Sequence, residues 1–410
     1  LAQADLPKGT AVIGQSGGPT AVINQSLVGV VEGLRGGLQR SGHVTKVLGM
    51  RNGVRGLTDG RMTDLTNIDQ AMLDRVSHTP SAALGSTRDK PDASYCGRIF
   101  ESCRELDARY FFYIGGNDSS DTCRIVSEAA RAAGYDLRCV HVPKTVDNDL
   151  MGNDHTPGYA SAARFVALAH MADGMDNAAL PGIKINIVMG RHAGFLTAAA
   201  AAARHEEHAG PHLVYVPEVP FITDRFVQDV ASVYDKLGRC HIAVSEGIQD
   251  KDGVAIGALL MGEEKDAHGN VQLSGSGALG DQLANLLKAK LTPAGGKPPR
   301  VRADTLGYLQ RCYPDASPVD AREARMVGVH AAQLAAEGKA GVSVNLVRKS
   351  TIGPNEAYEC VAEHQPLEAV AAKTRHLPES YIKGHSDVSQ AFLDYVTPLL
   401  GALPPFELLE

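Results

Sequence analysis

The stretch that most constrains this chain is Tyr113-Ile114-Gly115-Gly116-Asn117-Asp118-Ser119-Ser120-Asp121-Thr122. An apolar, β-rich segment, Tyr110 to Ile114, stops at two glycines. Polar residues with helix-capping chemistry follow, and then a helical stretch, Cys123 to Ala133. Strand, tight glycine turn and helix start thus come in succession. The glycines let a ligand reach the backbone, and the helix start offers unpaired N–H groups at the positive end of its dipole. A phosphate suits such a place. Asn117 and Asp118 add oxygens for a hard cation such as magnesium. An ordinary strand-to-helix turn reads the same in isolation, so the rest of the chain must decide.

The chain has 410 residues, which favours two domains over one. At 44% hydrophobic it can bury sizeable cores, and with 5% aromatics and no Trp those cores must be aliphatic. A net charge of −7 gives no support for nucleic acid or an anionic membrane as partner. No apolar run reaches membrane-spanning length. The start, Leu1-Ala2-Gln3-Ala4-Asp5, has no basic region before an apolar core, so no secretory leader is expected. Seven scattered cysteines without CxxC pairs fit free thiols in a reducing cytoplasm.

Other strand–glycine–helix units surround the central run. Thr10 to Gly14 reads as a strand, Gly17-Gly18-Pro19-Thr20 turns it, and Ala21 to Leu34 follows as a helix. No GxxxxGK[ST] occurs, so neither glycine turn is a Walker loop. Val44 to Met50 is a strand entering a glycine-spaced loop, Arg51 to Leu57. Leu84-Gly85-Ser86-Thr87-Arg88 is a further turn carrying a cation suited to phosphate. Leu137 to Val142 is a strand ending at Pro143-Lys144-Thr145-Val146-Asp147-Asn148-Asp149. In extended chain Asp147 and Asp149 would project to one side, so one would be raised in pKa and poised as a proton acceptor. A strand at Ile183 to Val188 ends at Met189-Gly190-Arg191. The helix after it contains Ala198 to Ala203 and has high propensity. His205, His208 and His212 lack zinc-protease spacing and read as a solvated helix end.

Leu213 to Val216 and Cys240 to Val244 are strands, the second ending at Glu246. Lys251 to Ser276 reads as a hairpin or surface insertion, and Gly275 to Gly280 as a helix-entry turn rather than a dinucleotide site. Helices are expected at Asp224 to Leu237, Ala278 to Leu291, Pro318 to Ala336 and Phe392 to Leu400. Strands are expected at Val301 to Leu306, leading into Gly307-Tyr308-Leu309-Gln310-Arg311, and at Gly341 to Arg348. The alternation implies an α/β fold with mainly parallel sheets and helices on both faces. In such sheets ligands bind at the carboxyl ends of strands, and each polar motif falls at such an end.

Taken together, these motifs resemble the phosphofructokinase family over almost the whole chain. The resemblance rests on Gly17-Gly18, the Gly53–Gly56–Leu57 loop, Gly85 to Arg88, the GGND run, PKTVDND, Met189-Gly190-Arg191, Glu246 and GYxxR, in the family's order. It implies two Rossmann-like, three-layer domains. A diphosphate domain would comprise 1–157 plus about 310–375. A sugar-phosphate domain would comprise 158–309 plus about 376–410. It implies magnesium-dependent phosphoryl transfer to the 1-hydroxyl of fructose 6-phosphate, with Asp147 as proton acceptor and Thr145 and Asp149 beside it. It also implies diphosphate held by Gly18, Arg88 and Lys144, metal at Asn117 and Asp118, and sugar phosphate held by Met189, Gly190, Arg191, Glu246, Arg302, Tyr308 and Arg311. Asn117 stands where the family has an aspartate.

Details are similar to the diphosphate-dependent branch. Asp118 and Lys144 replace glycines of ATP enzymes. A carboxylate at 118 would repel the α-phosphate of ATP, and Lys144 would neutralise the transferring group. Tyr308 replaces a histidine. Val28 and Glu32 replace two effector-binding arginines, implying loss of that regulatory site. The resemblance implies a homodimer or homotetramer. An ATP-dependent kinase and a non-catalytic sugar-phosphate-binding subunit remain the alternatives.

Overall fold

The computed structural model describes residues 6–89, 92–206, 208–261, 278–353 and 357–406. In chain order the strands are β1 (Gly9–Gln15), β2 (Val44–Met50), β3 (Met62–Asp64), β4 (Ala108–Gly115), β5 (Arg138–Pro143), β6 (Ile183–Val188), β7 (Leu213–Tyr215), β8 (Cys240–Ser245), β9 (Val301–Thr305), β10 (Val342–Arg348) and β11 (Cys360–Pro366). A two-residue ladder joins Ile382–Lys383 to Asp387–Val388. The chain divides into two compact units. The first comprises Leu1–Ala162, Arg311–Thr351 and Glu356–Arg375, and the second Ala163–Gln310, Ile352–Asn355 and His376–Glu410.

The first unit is built on a seven-stranded sheet in the order β11-β10-β5-β4-β1-β2-β3. Its five inner strands are parallel, and the two edge strands pair antiparallel. Strand alternation sorts the side chains into two cores. Ala11 and Ile13 of β1 and Tyr110, Phe112 and Ile114 of β4 enter one, with helices Ile23–Leu34 and Pro318–Ala336. Val12, Phe111 and Tyr113 enter the other, with helices Ala93–Glu105 and Asn117–Ala132. The result is a three-layer α/β unit, in which strands buried on both faces read as continuous apolar runs.

The second unit has a fully parallel sheet in the order β7-β8-β6-β9. Ile183, Ile185 and Ile187 of β6 and Cys240, Ile242 and Val244 of β8 form its core with helices Thr223–Leu237 and Ala278–Leu291. Phe392, Tyr395, Val396 and Leu399 bury one face of the C-terminal helix Gln390–Leu400. No described helix is long and apolar enough to cross a membrane.

Several local expectations differ from the structure. Helix Asn117–Ala132 begins six residues before the expected Cys123, directly after the glycine turn. Its first turn is too polar to reveal itself by apolar periodicity. The Arg51 to Leu57 loop contains a short helix, Val54–Thr58. The alanine run is no single α-helix: Phe195–Ala199 is α-helical and Ala200–Ala203 tightens into a 3₁₀ turn, with tertiary packing overriding propensity. Within the expected insertion, Ile256–Met261 is helical. Residues 262–277, which hold the remainder of that insertion after Met261 and the start of the Gly275 to Gly280 turn, lie outside the described residues. Strands β3 and β11 are not among the expected elements, nor are helices Gln70–Ser77 and Ala93–Glu105, although the second buries Cys96, Ile99, Phe100 and Cys103 at helical spacing and both begin at an Asp cap.

Helices Ile23–Leu34 and Pro318–Ala336 cross at Gly29 and Gly328. A Cβ on Gly29 would collide with the Arg325 carbonyl, and one on Gly328 with the Ser26 carbonyl. Val28 is buried at this crossing, and Glu32 is paired with Arg325 (Nε to Oε2, 2.7 Å). Both positions are therefore committed to packing the first unit. A Gly328→Ala change should destabilise the protein by about 1–3 kcal/mol in denaturant unfolding, through overpacking. Helix propensity alone would stabilise it by up to about 1 kcal/mol, so a neutral or favourable effect would contradict this close approach.

Candidate functional site

Each sheet has one place where the chain reverses its direction of travel across the strands. In the first unit it lies between β1 and β4, and in the second between β6 and β9. Carboxyl ends of strands open a crevice at such points. The expected site residues gather at these two places, with the exceptions given below.

In the first unit β1 runs into Gly17, whose φ of 75° is left-handed backbone that glycine accepts without strain. The loop carrying Arg88 does not follow a strand directly, as expected from sequence. It reaches the β1 end through hydrogen bonds instead. The Gly17 N–H donates to Thr87 O (2.8 Å), Ser86 Oγ to Gly17 O (2.6 Å), and the Leu84 N–H to Gln15 Oε1 (3.0 Å). Beside it β4 ends at Gly115, and helix Asn117–Ala132 starts at Gly116 with no side-chain cap. The Ser119 and Ser120 N–H groups donate to Gly116 O, which leaves those of Asn117 and Asp118 to meet an anion.

Lys144, at the end of β5, is buried, and its Nζ donates to Gly18 O (2.8 Å). A Cβ on Gly17 would stand 3.0 Å from that nitrogen. Burial, helped by Arg311 and more weakly by Arg88, lowers its pKa to about 8, against the opposing pull of Asp147 and Asp149. Arg311 packs over Gly18, 3.1 Å from where a Cβ would be. The resemblance assigns Arg311 to the sugar phosphate, yet it belongs to the first unit and stands beside Gly18 and Lys144.

The turn after Lys144 is not extended. Thr145 Oγ1 accepts from the Asp147 N–H (3.1 Å), and Asn148 takes a left-handed φ of 60°. Alternation in an extended strand therefore does not explain why Asp147 and Asp149 act on each other. The turn itself brings them together. Burial first, and the Asp147 charge second, push the Asp149 carboxyl up to about 6. The perturbed carboxyl is thus Asp149, with desolvation as the larger cause.

Asn117 Nδ2 donates to Asp149 Oδ2 (3.1 Å), which leaves Asn117 Oδ1 buried without a hydrogen-bond partner among the described residues. An orphaned carbonyl oxygen next to a carboxylate is a fitting donor pair for a hard cation. Asp118 is exposed on the first helical turn. Successive helix residues do not face each other, so Asn117 rather than Asp118 is the one that meets Asp149.

In the second unit β6 ends at Met189, whose N–H donates to Gln310 Oε1 (3.2 Å) from the turn after β9. Gly190 has a φ of 120°, and Ser245 Oγ donates to its carbonyl (2.8 Å). Arg191 lies 3.7 Å from Glu246 at the end of β8. Tyr308 is exposed, following Gly307 with a φ of 56°. Met189, Gly190, Arg191, Glu246 and Tyr308 thus occupy one end of this sheet. Arg302 does not join them. It is the second residue of β9, in register with Lys184 of β6, at the amino end of both strands. Within one chain it therefore stands apart from Tyr308, because a parallel strand separates its two ends by its whole length.

Three contributors escaped the sequence reading. Gln310 sits inside the GYxxR motif, and asking what satisfies the backbone after β6 would have found it. Glu218 accepts from the Gly194 N–H (2.9 Å) and the Leu377 N–H (2.8 Å), closing the loop after Arg191. The Arg375 N–H donates to Asp149 O (2.8 Å). These last two are isolated in sequence and carry no local signal. His205 and His208 are exposed beyond the 3₁₀ turn, and His212 accepts from the His241 N–H (2.8 Å).

Lys144 should titrate near 8 when followed by nitrogen NMR of labelled lysine. Removing a neighbouring positive charge with Arg311→Met should move that titration upward. An ordinary value near 10.4, insensitive to Arg311, would contradict the geometry.

Residues 10–335 match the family model described as phosphofructokinase. The chain is 53% identical over 398 residues to the pyrophosphate–fructose 6-phosphate 1-phosphotransferase of Rhodospirillum rubrum, covering 96% of this chain and 95% of that one. The enzyme of the same name from Halomonas elongata is 36% identical, with 97% and 93% covered. Among solved structures, a pyrophosphate-dependent phosphofructokinase from Marinobacter aquaeolei superposes with a TM-score of 0.82 at 32% identity, covering 97% and 94%. With the family model matched over residues 10–335 and relatives of 53% and 36% identity covered almost end to end, this chain belongs to the phosphofructokinase family.

Proposed function

We propose that the chain transfers a phosphoryl group reversibly from inorganic diphosphate to the 1-hydroxyl of fructose 6-phosphate, giving fructose 1,6-bisphosphate and phosphate. The observation that carries this reading is the buried Lys144 ammonium against Gly18, next to Arg311 and opposite two carboxylates. A water-poor cation among glycine backbone suits a compact, highly charged donor. Its counterpart on the donor side is Asp118, which would repel the longer chain of ATP and leave room for diphosphate.

Asp147 takes the proton from the sugar hydroxyl, and the oxygen bonds to the terminal phosphorus as the bridging P–O bond breaks. The electron pair leaves with phosphate, where Lys144 and Arg88 offset the charge. Thr145 and Asp149 fix the turn and the hydroxyl, and Gly18 admits the diphosphate to the backbone. Arg311 beside Lys144 supports a role on the diphosphate side. Asn117 and Asp149 would hold magnesium, which would supply charge neutralisation, while Asp118, exposed on the next helix position, would face the donor. Met189, Gly190 and Arg191 close on the sugar, Glu246 accepts from its hydroxyls, and Tyr308 serves its phosphate end. Arg302, at the far end of β9, suits a second copy's sugar site, which fits a homodimer or homotetramer. Seven free thiols suit a reducing cytoplasm.

Asp147→Asn should lower kcat by about 10² to 10⁴-fold while fructose 6-phosphate still binds in calorimetry. Retained turnover would remove Asp147 as the base. The reverse reaction should form fructose 6-phosphate from the bisphosphate only when phosphate is added, and its absence would count against the reading.

The pH dependence has a definite sign. The Asp149 carboxyl must be ionised, so kcat/KM should rise through about 6 as it loses its proton. The Lys144 charge is lost above about 8, so activity should fall there. Asp149→Asn should shift the acid limb, and, by removing one of the charges that hold the Lys144 pKa up, should also move the alkaline limb to lower pH. An unmoved acid limb would contradict this assignment.

A further inference from the structure

The proposed chemistry leaves unused a buried charged cluster in the first unit. His155 is fully buried, with Nδ1 2.9 Å from Asp154 Oδ2 and Nε2 2.7 Å from Glu323 Oε2. Carboxylates only accept, so both ring nitrogens must donate, and the ring is an imidazolium. Around it, Tyr358 OH donates to Glu323 Oε1 (2.8 Å) and Arg348 Nε to Asp154 Oδ2 (3.2 Å). Arg322 lies 3.9 Å from Glu323, and Asp320 and the Cys360 thiol also face the cluster. His155, Glu323 and Cys360 are close enough together to share a metal ion. Both ring nitrogens are committed to carboxylates, however, so neither offers a lone pair to a metal.

The residues next to His155 hold the phosphoryl-transfer turn. The Thr156 N–H donates to Asn148 Oδ1 (3.1 Å), and Thr156 Oγ1 to Thr145 O (2.8 Å). The Thr145 N–H donates to Pro157 O (3.2 Å). Arg375 Nη1 donates to both Asp154 O (2.8 Å) and Asn148 Oδ1 (3.3 Å). On the other flank Asp320 accepts from the N–H groups of Gly158 (2.8 Å) and Ser161 (2.9 Å).

We infer that His155, bridging Asp154 and Glu323, is a positioning residue that fixes residues 153–158 as the wall to which the 145–149 turn is clamped, and so sets where Asp147 and Asp149 stand. This rests on the phosphoryl-transfer reading of that turn. Burial opposes the His155 charge, but the hydrogen bonds and charges of Asp154 and Glu323 outweigh it and raise the ring to about 9. The clamp is therefore charged at neutral pH. Breaking a buried ion pair by removing one partner costs far more than a surface pair, which makes the cluster a stiff support.

The test uses the full-length chain with Glu323→Gln, Asp154→Asn and His155→Gln. Diphosphate-dependent kcat should fall about 10- to 100-fold in each folded variant, as small displacements of reacting groups do. KM for fructose 6-phosphate should change less than about twofold, since uniform sugar binding is untouched. Hydrogen exchange should quicken at residues 145–149 and stay unchanged at residues 189–191. Unchanged kcat and unchanged exchange at residues 145–149 in folded Glu323→Gln would overturn the proposal. So would a kcat loss that merely follows the folded fraction, with exchange rising evenly along the chain. If His155→Gln does not fold, the two carboxylate variants decide. If the wild type lacks diphosphate-dependent turnover, the functional reading fails, and the exchange experiment still judges the clamp.

Discussion

The first unit's site depends on a lysine ammonium held out of water against a glycine carbonyl. Lys144 joins the end of β5 to the turn after β1 through a single hydrogen bond to Gly18 O. Burial, with Arg311 and Arg88 beside it, disfavours its charge more than Asp147 and Asp149 favour it. An anion that restores the ammonium's electrostatic partner offsets that cost on binding. Gly17 suits this point because its φ of 75° is left-handed backbone, and a Cβ at residue 17 or 18 would press on the ends of the Lys144 and Arg311 side chains.

Around that point the fold works by converging strand ends. β1, β4 and β5 deliver the two glycine turns and the acid-rich turn to one edge of one sheet. β6, β8 and β9 deliver Met189, Glu246 and the Gly307–Gln310 turn to one edge of the other. Support comes from farther away in sequence. Glu218 closes the loop after Arg191, and Arg375 touches the backbone at Asp149. Reactive groups lie on the turns, while the groups that hold them come from helices and edges elsewhere in each unit.

Most of the fold was legible because its inner strands are short apolar runs cut by glycine. Helix Pro318–Ala336 begins at Ser317, whose side chain accepts from the Asp320 N–H, with proline in its first turn, as its sequence announces. Edge strands β3 and β11 were not legible, since pairing on one side only demands little of a sequence. The GGND and PKTVDND runs announced themselves by composition. The conformation of the second did not: alternation suggested an extended chain, whereas Asn148 turns it with a left-handed φ. Arg302 shows a different limit. Motif order placed it near Tyr308, but the two stand at opposite ends of β9. Glu218, Arg375 and the His155 cluster were invisible because their meaning is tertiary.

The central claim is that this pocket accepts diphosphate rather than a nucleotide. The most direct test measures fructose 1,6-bisphosphate formation from fructose 6-phosphate and magnesium, with diphosphate and ATP as parallel donors. Turnover with diphosphate and none with ATP is the result expected from Asp118 and Lys144. Turnover with ATP alone, or with neither donor, would contradict the account.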